Sequence, residues 1–172
     1  LDGLEHAHKK RVVHRDLKPS NLVLIAAEDG SRVVKIVDFG IAKLMPLEGQ
    51  AQQRITQSGE IFGSPLYMSP EQCQGLPLDQ RSDIYSLGCL MYETLTGEPP
   101  HVGESFVDTV LKHTNQNPAP FLEAAPDLKV PEPIEACIMK CLEKDPNDRY
   151  QSAHELRKHL LDAALAAGIK GV

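Results

Sequence analysis

Apolar positions along the chain follow a helical period at its start and through its second half, with a strand-like stretch between. Leu1, Leu4 and His8 share one face of a helical pattern that closes on the basic run Lys9-Lys10-Arg11, the charge that suits a helix C-terminus. The pattern opens without a cap or preceding turn, which predicts an element cut at its start. Two short β-branched runs follow, 22-LVLI-25 and 33-VVKIV-37, separated by 28-EDGS-31. Asp-Gly between apolar runs predicts a hairpin in which Gly30 takes a positive φ. Residues 45–64 have almost no periodicity, and a structureless stretch of that length is usually functional or disordered.

Beyond it, 83-DIYSLGCLMYETLTG-97 repeats apolar residues at three and four, predicting a buried helix that ends at Gly97 before Pro99-Pro100. Further helices are predicted over 105–113, 134–144 and 152–165, with a Pro-rich connection running through Pro133. Ser152 with Glu155 three residues on predicts a capping box. The expected fold class is mainly α with one small β-hairpin.

Composition narrows the function classes. A chain of 172 residues suits one domain or one lobe of a larger one. The net charge of −6 gives no footprint for a nucleic acid partner. No apolar run is long enough to cross a bilayer, and no signal-peptide pattern appears. The four cysteines, Cys73, Cys89, Cys137 and Cys141, show neither a paired framework nor zinc-like spacing. Buried thiols in a reducing compartment explain them best.

The stretch 12-VVHRDLKPSNLVL-24 is the chemical anomaly. It sets an imidazole, a guanidinium, a carboxylate, an ammonium and an amide between two apolar segments that read as core. His14-Arg15-Asp16-Leu17-Lys18-Pro19-Ser20-Asn21 resembles the catalytic loop H-R-D-L-x-x-x-N of eukaryotic-type (Hanks-type) protein kinases. After the hairpin comes 38-DFG-40, and after the long polar stretch 69-SPE-71, close to that family's A-P-E. Each motif alone says little. In family order, at these separations, they form a specific set, and the resemblance extends over essentially the whole chain.

The resemblance implies the C-terminal lobe of a protein kinase over residues 1–165, followed by a tail at 166–172. Within it, the catalytic loop is 14–21, the activation segment 38–71 and the helical subdomain 83–165. Phosphoryl transfer asks the protein to position an acceptor oxygen and neutralise phosphate charge. Asp16 is implied as the base that accepts the hydroxyl proton, although a loop aspartate bonded to local backbone would read the same in isolation. Lys18 is implied at the γ-phosphate and as the mark of serine/threonine specificity. Asn21 and Asp38 are implied Mg²⁺ ligands, being hard oxygen donors, and the hairpin should bring them together. Val23 is placed beneath the adenine ring of ATP. Ser64 in 63-GSPLY-67 stands where the family more commonly has threonine bonding the catalytic pair. His14 and Phe39 are expected to pack together. Glu71 is expected to pair with Arg149 in 145-DPNDRY-150. Asp83, at the expected start of the long helix, is implied to accept backbone N–H groups from the catalytic loop, or to cap the helix.

Arg15 and Lys43 are implied to bind a phosphate on the activation segment, with Thr56 and Ser58 in 56-TQS-58 as its carriers. That implies self-association for trans-autophosphorylation, alongside protein substrates. No Gly-rich loop, strand lysine or partner glutamate appears in these residues, although the family needs all three. The N-lobe of the same kinase is therefore an expected partner, and this chain alone is expected to have little or no activity. "GSPLYMSPEQ" resembles bacterial members, which implies a cytoplasmic domain whose parent can carry a membrane anchor elsewhere. Two other classes compete. A pseudokinase would not need Asp16, Lys18, Asn21 and Asp38 together, and a small-molecule kinase would not need Ser64, the SPE segment and Arg149.

Overall fold

The computed structural model describes residues 1–26, 30, 32–39 and 64–169. Its centre is a helix that the sequence pattern places three residues too late. Helix α3 spans Gln80–Thr96, and Asp79, not Asp83, is its N-cap, accepting a hydrogen bond from the Arg81 N–H. The apolar period begins only at Ile84, because the first turn is polar: Gln80, Arg81, Ser82 and Asp83. Ser82, Asp83, Ile84, Tyr85, Ser86, Gly88, Cys89, Leu90 and Tyr92 are all buried, so α3 is covered on nearly every side, as a central helix must be. It ends as expected at Gly97, whose φ of 89° suits a residue without Cβ and whose N–H bonds the Glu93 carbonyl.

The other elements pack around it. Helix α1 spans Asp2–Lys9 and buries Leu4 and Ala7. Strands β1 (Leu22–Ala26) and β2 (Arg32–Ile36) pair antiparallel, from Leu22 opposite Ile36 to Ala26 opposite Arg32. Gly30 has the expected positive φ, 82°. Helix α2 (Pro70–Cys73) is one turn opened by a complete capping box, Ser69 with Gln72. Helix α4 spans Phe106–Asn115, and α5 (Phe121–Ala124) is a single turn inside the Pro-rich connection. Helix α6 (Glu132–Cys141) carries Pro133 in its first turn, where a missing N–H costs nothing. Helix α7 spans Ala153–Ala166. There Ser152 accepts from the Glu155 N–H, but the Glu155 carboxylate accepts from Gln151 and not from Ser152, so the expected box closes one residue early.

The main apolar cluster joins Leu4, Leu17, Tyr85, Leu90, Phe121, Ile138 and Leu142. Helix α6 lies so close to α3 that a Cβ on Gly88 would stand 2.7 Å from the Cys141 Cβ. The hairpin is not part of this core. Val23, Leu24, Ile25, Val33 and Val34 are exposed, against the expectation that the runs flanking the polar loop are core. The four cysteines are free thiols, three of them buried. No helix among the described residues is long and apolar enough to cross a membrane.

Candidate active site

The polar loop between α1 and β1 is held by its backbone. Asp83, at 1% exposure, accepts the His14 N–H through Oδ2 and the Arg15 N–H through Oδ1, both at 2.8 Å. Arg15 takes φ = 67° and Asp38 φ = 54°. That left-handed region is sparsely used by side-chain-bearing residues and costs of order 1 kcal/mol each. The Asp83 carboxylate offsets the first of these. Its other contact was not anticipated from sequence: His8 Nε2 lies 2.8 Å from Oδ2. The position of His8 one turn beyond Leu4, on the buried face of α1, was the available signal.

His14 ties this loop to the end of the hairpin. The Asp16 N–H approaches His14 Nδ1 at 3.3 Å, so the ring hydrogen belongs on Nε2, which donates to the Val37 carbonyl at 3.1 Å. Phe39 stacks against the ring, centroids 4.7 Å apart. The hairpin closes on the same spot, because the Val37 N–H donates to the Asn21 carbonyl at 2.9 Å. Asn21 and Asp38, 17 positions apart in sequence, are therefore next to one backbone hydrogen bond. The Asn21 amide nitrogen donates to the Asp16 carbonyl at 2.8 Å, so its side-chain oxygen is the atom that could serve a metal. One amide oxygen and one carboxylate fit Mg²⁺, which keeps few protein ligands and completes its octahedron with phosphate and water. Among the described residues no cluster of three or more His, Cys, Asp or Glu could hold a metal by itself.

Lys18 Nζ stands 3.0 Å from Asp16 Oδ2, and both are partly exposed. They line a small recess with Ser64, Tyr67, Met68 and Gln72. Gln72 was not anticipated either. Its side-chain nitrogen donates to the Arg15 carbonyl at 2.7 Å while its oxygen caps α2, so the SPE segment is fastened to the loop. The S-x-x-Q spacing of Ser69 and Gln72 was legible as a capping box. Val23 lies on β1, opposite Lys35 and 43% exposed. Lys43, Thr56 and Ser58 lie outside the described residues.

Below the recess, Glu71 and Arg149 form a bidentate pair with both N–O distances 2.8 Å. The remaining guanidinium hydrogens go to the carbonyls of Glu143, Arg81 and Lys144, so all five donors are used. Ser82 adds a hydrogen bond to Glu71 at 2.7 Å. Burial alone would raise the Glu71 pKa, but Arg149 and Ser82 outweigh it and hold the carboxyl below its ordinary range. A larger recess of about 400 Å³, lined by Glu5, His8, Lys9 and Ser152 among others, lies away from these groups.

The protein kinase domain family profile matches residues 1–161. Over 159 residues the chain is 40% identical to the serine/threonine-protein kinase PknB of Mycolicibacterium smegmatis, covering 92% of this chain and 24% of that protein. A probable serine/threonine-protein kinase of Streptomyces coelicolor is 43% identical over 157 residues, 91% of this chain and 22% of that protein. One from Clostridium acetobutylicum is 40% identical over 158 residues, with 92% and 22% coverage. The chain thus spans less than a quarter of the length of these relatives.

Proposed function

The chain belongs to the protein kinase domain family, and from that premise we propose that it is the C-terminal lobe of a bacterial Hanks-type kinase that phosphorylates serine and threonine hydroxyls of proteins with ATP. The observation that carries the reading is the meeting of Asp16, Lys18 and Asn21 on one loop with Asp38 at the foot of the hairpin. In the transfer, the substrate oxygen forms a bond to the γ-phosphorus while the bond to the β-phosphate oxygen breaks and ADP leaves. Asp16 orients the hydroxyl and takes its proton. Lys18 neutralises charge on the transferred group. Mg²⁺, held by Asn21 and Asp38, would supply charge neutralisation at the phosphates. Ser64, beside Asp16 in the recess, lines the peptide side of the site.

Arg15 supports a phosphate-operated control. Its Nε is buried with no hydrogen-bond partner among the described residues, and a buried donor left unmade costs about 1–3 kcal/mol. A phosphate on Thr56 or Ser58, shared with Lys43, would satisfy it, and another copy of the kinase is proposed to transfer it there from ATP, releasing ADP. Phosphate mapping of the active full-length protein tests this; finding neither residue modified would overturn it.

The N-lobe is proposed to cover the exposed hairpin, where Val23, Leu24 and Val34 offer an apolar surface without cover among the described residues. The 172 residues taken alone should therefore bind Mg²⁺-ATP weakly and transfer little. The test is calorimetric titration of the chain with Mg²⁺-ATP, beside radiolabel transfer by the full-length protein and its Asp16→Asn variant. Transfer by the full-length protein that survives Asp16→Asn would overturn the catalytic assignment. Strong transfer by the chain alone would overturn the need for the N-lobe. The parent is proposed to work on the cytoplasmic side, with any membrane anchor in other segments.

A further inference from the structure

A second polar cluster lies in the helical half of the chain and is not used by the transfer just described. Tyr85 of α3, His101 in the α3–α4 connection and His113 of α4 are 0–3% exposed. Lys144, just past α6, is half-buried beside them. Tyr85 Oη is 2.9 Å from His113 Nδ1. Lys144 Nζ is 3.4 Å from Tyr85 Oη and 3.1 Å from His101 Nε2. The two imidazoles meet edge to face, centroids 5.0 Å apart.

These distances impose a direction. An ammonium only donates, so the Tyr85 oxygen receives from Lys144 and its own hydrogen goes to His113 Nδ1. The His113 ring then carries hydrogen on Nε2. That atom is fully buried and makes no aligned hydrogen bond among the described residues, yet the carbonyls of Leu66 and Pro65 lie close enough to favour a proton on the ring. They belong to the 3₁₀ turn Pro65–Tyr67, against which α4 packs and which immediately follows Ser64. The opposite tautomer would set a lone pair against two carbonyl oxygens and strand a buried acceptor, at a cost of about 1–3 kcal/mol. The rest of the turn is tied down separately: Ser86 donates to the Tyr67 carbonyl at 2.7 Å, and Tyr67 Oη donates to Glu93 at 2.7 Å.

We infer that His113 is a positioning residue for the protein substrate, aimed by Lys144 through Tyr85 so that its Nε2–H faces the backbone of the turn that borders the peptide side of the site. The inference rests on the kinase reading above and deepens it, because it gives α4 and Lys144 a part in substrate affinity and none in chemistry. Lys144 is followed by Asp145 and Arg149, so the same short segment supports both this relay and the Glu71–Arg149 pair.

The test has two arms in the full-length protein. In the first, ¹⁵N-histidine NMR reads the tautomer of His113 at neutral pH; the Nε2–H form is expected, and the Nδ1–H form would overturn the relay. In the second, steady-state transfer to a basic protein and to a peptide of residues 50–64 is measured for Tyr85→Phe, Lys144→Met, His113→Phe and His113→Gln. Tyr85→Phe and His113→Phe should raise the KM for the protein or peptide three- to tenfold, with kcat and the KM for ATP within twofold of wild type. Lys144→Met should show a smaller shift in the same direction, and His113→Gln, whose amide can present an N–H to the turn, should restore most of the lost affinity. Unchanged KM in both Phe variants, or an equal loss in kcat and both KM values, would overturn the inference. Absence of transfer by the wild-type protein would defeat the kinase reading instead, and the NMR arm would still decide the relay.

Discussion

Replacing Glu71 by Gln keeps the side-chain shape and removes the charge that answers Arg149. The guanidinium side chain is fully buried and that of Glu71 is 8% exposed, so neither can turn to water without opening the core. In Glu71→Gln one amide oxygen still accepts from Arg149, but the amide NH₂ faces the other guanidinium nitrogen, donor against donor. The three carbonyl acceptors remain, so the loss is one charge-assisted bond and the countercharge. Breaking a buried pair from one side typically costs about 3–5 kcal/mol, a large part of the ~5–15 kcal/mol that holds a domain folded. At about 2–4 °C per kcal/mol for a chain of this size, the melting temperature should fall by roughly 6–20 °C. Arg149→Met should cost about as much, since it leaves Glu71 buried with only Ser82. The double variant Glu71→Met with Arg149→Met buries no lone charge and should cost less than either single change. Urea unfolding of Glu71→Gln and of the Glu71→Met, Arg149→Met and double-Met variants, followed by circular dichroism, closes the cycle. A loss below about 1 kcal/mol in Glu71→Gln, or a double variant whose cost is the sum of the singles, would refute the view that the pair is a coupled buried unit.

Four further outcomes are expected. Because the Glu71 carboxyl is held below its ordinary pKa, its stabilisation is present above the unfolded carboxylate range and lost as pH falls through the folded value; Glu71→Gln should flatten that part of a urea-midpoint-against-pH curve. His101 and His113 are pushed down to about 3 and about 4, first by burial and then by the charge of Lys144. The unfolded chain therefore binds protons first as pH falls below about 6.5, so stability is lost between there and about 3, and His101→Phe should reduce that loss. Asp83→Asn leaves one of the His14 and Arg15 N–H groups facing an amide NH₂; the loop should loosen and kcat of the full-length protein should fall about 10–100-fold, read by radiolabel transfer. Gly88→Ala places a methyl against Cys141 and Leu142, and thermal melts should show a loss of about 1–3 kcal/mol.

What the sequence revealed and what it concealed divide along a physical line. Groups proposed to act through their own identity were the ones that drew attention: Asp16, Lys18, Asn21 and Asp38 stand out because four costly polar side chains near apolar runs need a reason, and the ordered motifs suggest one. The buried helix was legible because Ile84 to Leu95 keep one period. Its start was not, because a helix begins with a cap and a polar first turn, and Asp79 and Asp83 are both aspartates that fit a cap. Only the fold shows that Asp79 is the one bonded to α3, while Asp83 turns its carboxylate to His14 and Arg15. The hairpin runs misled in burial and not in structure. β-branched residues fit a pleated strand whether or not anything covers it, so Val23 and Val34 announce a strand and are silent about its cover.

The groups that went unread share one property: each acts through a partner far along the chain. His8 and Asp83 are 75 positions apart, Gln72 and Arg15 57, Tyr85 and Lys144 59. A lone histidine on an apolar helix face, or a lysine before Asp-Pro, has no local pattern that separates a solvated side chain from a buried one. The physical difference appears only when folding removes water and leaves each N–H and O–H to find an acceptor. In this chain that requirement is met by long-range polar bonds that fasten the 14–21 loop to α3 through Asp83 and to α2 through Gln72, and the Pro65–Tyr67 turn to α3 through Ser86 and Glu93. The proposed chemistry can then be written in the eight residues 14–21 together with Asp38, while its positioning draws on α2 and α3. It follows that substitutions at Asp83 or Gln72, neither of which touches the phosphate in the proposed mechanism, should alter catalysis, and each in proportion to the number of loop hydrogen bonds it holds, two for Asp83 and one for Gln72.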